Sequence, residues 1–339
     1  MSRKATGIQG YIVKVLNGMA LGLFSSLLIG LIIKQIGTYG GLEPLILFGN
    51  VAQRLMGPAI GVGVAYSVGA PPLGIFAAAA AGAIGAGSIS FDGASAIIKT
   101  GEPVGAFVAA LCGAEISKIV SGKTKFDIIL VPMVTILVGG FVGSYISPYI
   151  AAFMTGIGTL INKATEMHPI PMGIIVSVIM GMVLTLPISS AALAISLNLT
   201  GLAAGAATVG CAANMVGFAV ASFRENRYGG LVAQGLGTSM LQIPNIVKNP
   251  LIWIPAIVAS AILGPISTYI LHMESNALGA GMGTSGLVGQ LAMIETMGAS
   301  PYVLLLILMM HFVFPGIIAF SVSEWMRRKG LIKKGDMTL

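Results

Sequence analysis

Long uncharged stretches alternate along the chain with short polar breaks. Apolar segments cover about 12–36, 44–67, 70–90, 103–121, 126–150, 170–190, 198–222, 250–272 and 300–325. A helix needs about 20 apolar residues to cross a bilayer, so each of these nine segments has roughly the length of one crossing. Between Glu166 and Arg224, 57 residues pass without an Asp, Glu, Lys or Arg, room for two crossings. Two further segments, about 230–246 and 279–296, are shorter and rich in glycine. Residues 149–165 read as an interfacial or linking helix ending in Lys163.

Basic residues near the ends set the expected orientation. "MSRK" opens the chain, and "RRKGLIKKGD" places five basic residues against one acid near its end. The positive-inside rule then puts both termini in the cytoplasm, which requires an even number of crossings. The expected architecture is an all-α polytopic membrane protein of about ten transmembrane helices, with re-entrant hairpins in addition.

An internal repeat is visible. "KFDIILVPMVTILVGGFVGSYI" (125–146) resembles "KNPLIWIPAIVASAILGPISTYI" (248–270), with Lys125 and Lys248 each followed seven residues on by a proline, Pro132 and Pro255. "GMALGLFSSLLIG" (18–30) echoes "PMGIIVSVIMG" (171–181) in the same way. The expected division is a first membrane half, 1–165, and a second, 166–339. Repeated halves are a frequent plan of secondary transporters, with the solute site near the midplane.

Composition fixes the solvent. The chain is 56% hydrophobic and 9% charged, with a mean hydropathy of +0.95, well above the roughly 45–50% apolar content of soluble domains. The net charge of +7 comes from basic residues flanking apolar segments, not from one surface stripe, so no nucleic-acid partner is expected. The first apolar run, 19 residues between Lys14 and Lys34, is too long for a signal-peptide core and reads as a retained span. Cys112 and Cys211 lie 99 residues apart inside apolar runs and form no metal or redox motif. No P-loop, His-x-x-x-His, Cys-x-x-Cys or Gly-x-Ser-x-Gly element appears, so no catalytic residue, metal or cofactor is assigned.

The most specific internal signal is a pentapeptide that occurs twice. "GLGTS" spans Gly235 to Ser239 and "GMGTS" spans Gly281 to Ser285, each inside an uncharged run of 20 residues. Paired glycines disfavour a continuous helix, and unwound backbone at membrane depth survives only where it is buried in protein or lines a cavity. Gly237, Thr238, Ser239, Gly283, Thr284 and Ser285 could there bond a polar solute, and a helix opening after Gly-Thr-Ser would favour an anionic group. Close helix packing is the alternative. Gln234, Gln242 and Asn245 accompany the first copy, and Gln290 and Glu295 follow the second. Such amides and carboxylates suit a polyhydroxylated solute; Glu295 reads equally as an interfacial cap.

A second candidate region is "FDGASAIIKTGEPVGAFVAALCGAEISK" (91–118). Glu102 precedes Pro103 at a helix start, where the dipole favours its charge. Glu115 and Lys118 are one turn apart and could pair at a helix end. Only 12 residues separate Glu102 from Glu115, so Asp92, Lys99 and Glu102 could sit on a segment that dips into the bilayer and returns. His168 and His272 read as residues at the ends of spans, and His311 as bonded to a neighbouring helix. "SFRENRYGG" (222–230) reads as a charged loop.

The chain resembles the membrane (EIIC) component of phosphotransferase-system sugar permeases, in the compact branch that includes the perfringolysin O regulatory protein. The resemblance runs over about residues 8–332 and rests on "GAPPLGIFAAAAAGAIGAG" (69–87), "TGEPVGAFVAAL" (100–111), "HPIPMGIIVSVIMGM" (168–182), "ENRYGGLVAQGLGTSMLQIPNI" (225–246) and "GMGTSGLVGQ" (281–290). It implies a homodimeric permease of the bacterial cell membrane, each subunit binding one small polar solute between membrane-buried hairpins. Many sugar-type relatives carry a Gly-Ile-Thr-Glu-Pro motif; here "TGEP" keeps only Glu102 and Pro103. No soluble IIA or IIB domain is seen, so phosphotransfer would need separate partner proteins. A membrane sensor that controls gene expression and an ion-coupled carrier unrelated to phosphotransfer are the other functions weighed.

Overall fold

The computed structural model describes residues 8–92 and 95–339. The described residues form two compact units, one running to Phe153 and the other from Met154 to Leu339.

The first unit holds α1 (Gly10–Thr38), α2 (Glu43–Arg54), α3 (Met56–Val68), α4 (Pro72–Gly85), a hairpin of β1 (Ile89–Asp92) and β2 (Ser95–Ile98), α5 (Pro103–Val120) and the start of α6 (Asp127–Thr165). α3 packs on α1, α4 and α5. Glycines allow these close approaches: a Cβ on Gly85 would strike the Gly105 carbonyl, and one on Gly22 would meet the Ile60 Cα at 2.7 Å. Phe76 and Phe141, about three-quarters exposed, point away from this packing, as side chains solvated by lipid would.

The second unit holds the rest of α6, then α7 (Pro169–Thr185), α8 (Ser190–Ser196), α9 (Gly201–Ala221), α10 (Phe223–Val232), α11 (Ile243–Lys248), α12 (Pro250–Ile270), α13 (Ala277–Met282), α14 (Val288–Met297) and α15 (Pro301–Arg328). α9 is the centre, almost wholly buried against α7, α12 and α15. Its sequence, Ala and Gly on every face, explains this, because a helix with no polar side has nowhere to lie but inside.

Among the described residues, six helical stretches are long and apolar enough to cross a bilayer: α1, α5, residues Asp127–Ile146 of α6, α9, α12 and α15. The pair α2–α3, bent by 53°, makes a seventh if it counts as one span, while α4 and α7 are apolar but shorter, at 14 and 17 residues. These elements coincide one for one with the nine apolar segments of the sequence. The glycine-rich segments 230–246 and 279–296 contain no helix of spanning length, because each is interrupted at its Gly-x-Gly-Thr-Ser.

Three local expectations change. Residues 149–165 do not form a separate linking helix but continue α6, which runs for 39 residues. The stretch after α4 is an antiparallel hairpin, registered Ile89↔Ile98 to Asp92↔Ser95, with every described residue of both strands exposed. Its β-branched Ile89, Ile97 and Ile98 suit paired strands. "SFRENRYGG" is helical for most of its length, with a kink at Arg227 (φ +53°), and is docked on α15 rather than loose. The two halves of the 125–146/248–270 repeat become helical in different units, in α6 and α12.

Candidate functional site

Both Gly-x-Gly-Thr-Ser copies break a helix, and they meet. In the first, a π turn (Ala233–Gly237) ends at Thr238, which is extended (φ −161°, ψ 144°). The Thr238 hydroxyl accepts from the Met240 N–H at 3.1 Å, capping the turn Ser239–Gln242 that leads into α11. In the second, α13 stops at Gly283 (φ +54°, ψ −127°), a conformation that a residue with a Cβ adopts only under strain. A turn Ser285–Leu287 then leads into α14, and the Gly289 N–H closes the break on the Gly283 carbonyl at 2.9 Å. The Ser285 hydroxyl donates to the Gly237 carbonyl at 2.9 Å, joining the two breaks.

A buried polar cluster supports the first break. Ser239 Oγ lies 2.8 Å from Thr185 Oγ1, at the end of α7. Thr185 also bonds Asn214 Oδ1 at 3.3 Å, and that oxygen accepts from Trp253 Nε1 at 2.9 Å. Asn214 Nδ2 donates to Ser260 Oγ at 3.0 Å and to the Gly210 carbonyl at 3.2 Å. Asn214 thus ties α7, α9 and α12 to the broken segment. No local motif in the sequence marks Thr185, Asn214, Trp253 or Ser260. The available signal was an asparagine inside an uncharged span, where an unpaired amide is costly. Thr284, fully buried, points its hydroxyl at Met215 Sδ, 3.4 Å away on α9.

The three amides of the first segment form a ladder. Gln242 Nε2 donates to Gln234 Oε1 and Asn245 Nδ2 to Gln242 Oε1, each at 2.8 Å, while Gln234 Nε2 donates to Ser222 Oγ at 2.8 Å. The ladder also holds the end of the chain: Gln242 Nε2 donates to the Met337 carbonyl at 3.0 Å and Asn245 Nδ2 to the Thr338 carbonyl at 2.9 Å. Asn226 and Asn249 complete the grip, on Met337 and on Asp336 and Leu331, and Met337 is fully buried. Gln242→Leu removes three of these bonds and strands their partners, at about 1–3 kcal/mol. Hydrogen exchange over 331–339 should therefore accelerate about tenfold or more, and unchanged protection there would show the ladder does not hold the tail.

The remaining candidates lie elsewhere. Glu295 is exposed near the end of α14 and accepts from Asn276 Nδ2 at 3.2 Å, while Asn276 Oδ1 caps α13. Asp92, Lys99 and Glu102 belong to the other compact unit. Asp92 and Lys99 are exposed on or beside the hairpin, and Glu102, half-buried before Pro103 at the start of α5, donates its N–H to the Ala86 carbonyl at 2.9 Å. Glu115 and Lys118 pair at 2.9 Å, and Tyr11 joins them at 2.7 Å from Glu115. Among the described residues, no three His, Cys, Asp or Glu side chains gather as a metal site would need. Cys112 and Cys211 are free thiols. His168 precedes α7, His272 follows α12, and His311 bonds Gln290 of a neighbouring helix at 2.9 Å.

The family model described as "Phosphotransferase system, EIIC" matches residues 13–339. No curated protein and no solved structure matches the chain.

Proposed function

Because the chain belongs to the phosphotransferase-system EIIC family, whose members are membrane permeases for sugar-type substrates, we propose that it binds one small polyhydroxylated solute at its two Gly-x-Gly-Thr-Ser breaks and carries it across the bilayer by alternating access. The observation that carries this reading is the Ser285–Gly237 bond, which gathers the hydroxyls of Thr238, Ser239, Thr284 and Ser285 in one unit, each at most 5% exposed. A hydroxyl both donates and accepts, so such a group suits a sugar's alternating requirements. Unwound backbone of this kind is tolerated at membrane depth only beside protein or a cavity.

Each side chain then has a task. Thr238 and Thr284, at matching positions in the copies, contact the solute, with Ser239 and Ser285 holding the breaks in register and Gly237 and Gly283 allowing the chain to turn there. Gln234, Gln242 and Asn245 fix the segment after the first break, and Glu295 with Asn276 fixes the flanks of the second. Asp92, Lys99 and Glu102 rank behind these as a separate polar region. Phosphorylation of the solute belongs to separate IIA and IIB proteins, as the family implies, and this chain contributes binding and passage only. Both termini face the cytoplasm on this reading.

A thermal-shift panel of sugars, sugar acids and phosphorylated metabolites on the detergent-solubilised protein tests the site. For whichever compound stabilises it, Thr284→Ala and Thr238→Ala are each expected to weaken binding by about fivefold, the worth of one neutral hydrogen bond near 1 kcal/mol. Unchanged affinity in both would remove the breaks as the site. Uptake of the same compound into proteoliposomes without phosphoenolpyruvate tests passage, and binding without uptake in any condition would replace transport by sensing.

A further inference from the structure

Gln290 and His311 form a buried polar pair that no role above uses. Gln290 lies in the first turn of α14, and His311 on a π turn, Met309–Val313, inside α15. Gln290 Nε2 and His311 Nδ1 are 2.9 Å apart. Gln290 is 5% exposed and His311 is fully buried, and Met293, Ile307 and Met310 nearby form an apolar cluster. Yet Gln290 Oε1 and His311 Nε2, both buried, have no hydrogen-bond partner among the described residues. Buried polar atoms are almost always paired, so each such exception calls for an explanation.

Hydrogen-bond capacity narrows the partner. If the amide donates to Nδ1, a neutral ring carries its proton on Nε2, leaving one free donor there and one free acceptor at Oε1. If the amide is turned round, Nδ1–H donates to it, leaving an acceptor at Nε2 and the amide NH₂ as donor. Either assignment leaves at least one donor and one acceptor. A metal ion would need acceptors alone, an ammonium acceptors, and a carboxylate donors. A hydroxyl group, which donates once and accepts, fits both vacant capacities. The position also points to the breaks: Gln290 directly follows Gly289, whose N–H closes the second one at Gly283. π turns inside helices recur at functional sites.

We infer that Gln290 and His311 form a subsite that recognises one hydroxyl of the transported solute. This rests on the reading of the breaks as a solute site. The alternative source of the same chemistry is a resident water molecule.

The test uses the intact protein in detergent with a panel of hexoses and hexitols, followed by the monodeoxy analogues of the tightest binder. In the wild type, removal of one particular hydroxyl should weaken binding about tenfold. In Gln290→Leu and in His311→Phe that penalty should vanish while the penalties at other positions remain. Survival of every deoxy penalty in both variants, as a resident water would give, overturns the subsite alone. A uniform loss across all analogues likewise assigns the pair to the scaffold and overturns it. Failure of any hexose or hexitol to bind the wild type removes the solute site and the subsite together. Should neither variant fold, wild type labelled with ¹⁵N-histidine decides: a shift of the His311 Nε2 resonance at saturating ligand supports the subsite, and a resonance that stays put overturns it.

Discussion

Gly283→Ala is expected to cost the second unit about 3–5 kcal/mol, a large part of the roughly 5–15 kcal/mol that holds a typical folded protein together. Two effects add. The backbone at Gly283 (φ +54°, ψ −127°) lies where a residue with a Cβ is strained, at about 1–3 kcal/mol. The new methyl would also meet the Cys211 carbonyl carbon at 2.7 Å and the Ala212 nitrogen at 2.8 Å, so the backbone of α9 itself must move. Overpacking of that kind costs a further 1–3 kcal/mol or so. The first copy supplies the contrast. A Cβ on Gly235 would meet only Ala219 Cβ, at an ordinary 3.5 Å, so Gly235→Ala should fall within about 0.5 kcal/mol of wild type. One on Gly281, its counterpart, would meet the Ala191 nitrogen at 2.7 Å. Thermal unfolding in detergent, read on all three variants, checks the ordering. Equal stability of Gly283→Ala and Gly235→Ala would mean the second break is not built as described.

That asymmetry marks what the sequence could and could not convey. Uncharged runs of spanning length located the helices, because the bilayer imposes their length and excludes charge, and the nine mapped segments match nine structural elements. Paired glycines located the breaks, because a helix that loses its Cβ atoms at two nearby positions loses its preference. The Glu115–Lys118 pair followed from i,i+3 spacing alone. What stayed hidden was long-range. Nothing local links Asn214 to Trp253, 39 residues on, or Gln242 to Met337, 95 residues on. "SFRENRYGG" looked like a solvated loop because Glu225 finds its partner 102 residues away. The hairpin at 89–98 hides for a different reason: its charges draw attention to a site, while the signal for paired strands lies in β-branched Ile89, Ile97 and Ile98. The two pentapeptides also look equivalent, although a Cβ fits at Gly235 and would strike the backbone of α9 at Gly283.

Arg327→Ala is the other change expected to be severe. Arg327 and Glu225 form a two-pronged pair, at 2.9 Å and 3.1 Å, with side chains only 10% and 2% exposed. Arg327 Nη2 also donates to the Ala221 carbonyl at the end of α9, 3.0 Å away. Truncating the arginine leaves the Glu225 carboxylate buried with a long 3.4 Å bond from the Gly335 N–H. An orphaned buried charge of this kind costs about 3–5 kcal/mol. Arg224–Glu324 has the same bond length, 2.9 Å, but its arginine is 60% exposed, so Arg224→Ala should cost no more than about 1 kcal/mol. Most of the Arg327 penalty is the stranded charge and not the lost attraction. The double change Glu225→Leu with Arg327→Met should therefore recover much of the stability that Arg327→Ala loses, since a buried pair exchanged for apolar groups is often neutral. Unfolding of the singles and the double in detergent gives the coupling directly. If the double is as unstable as Arg327→Ala, the deficit comes from lost packing of the arginine stem between α10 and α15, and the charge argument fails.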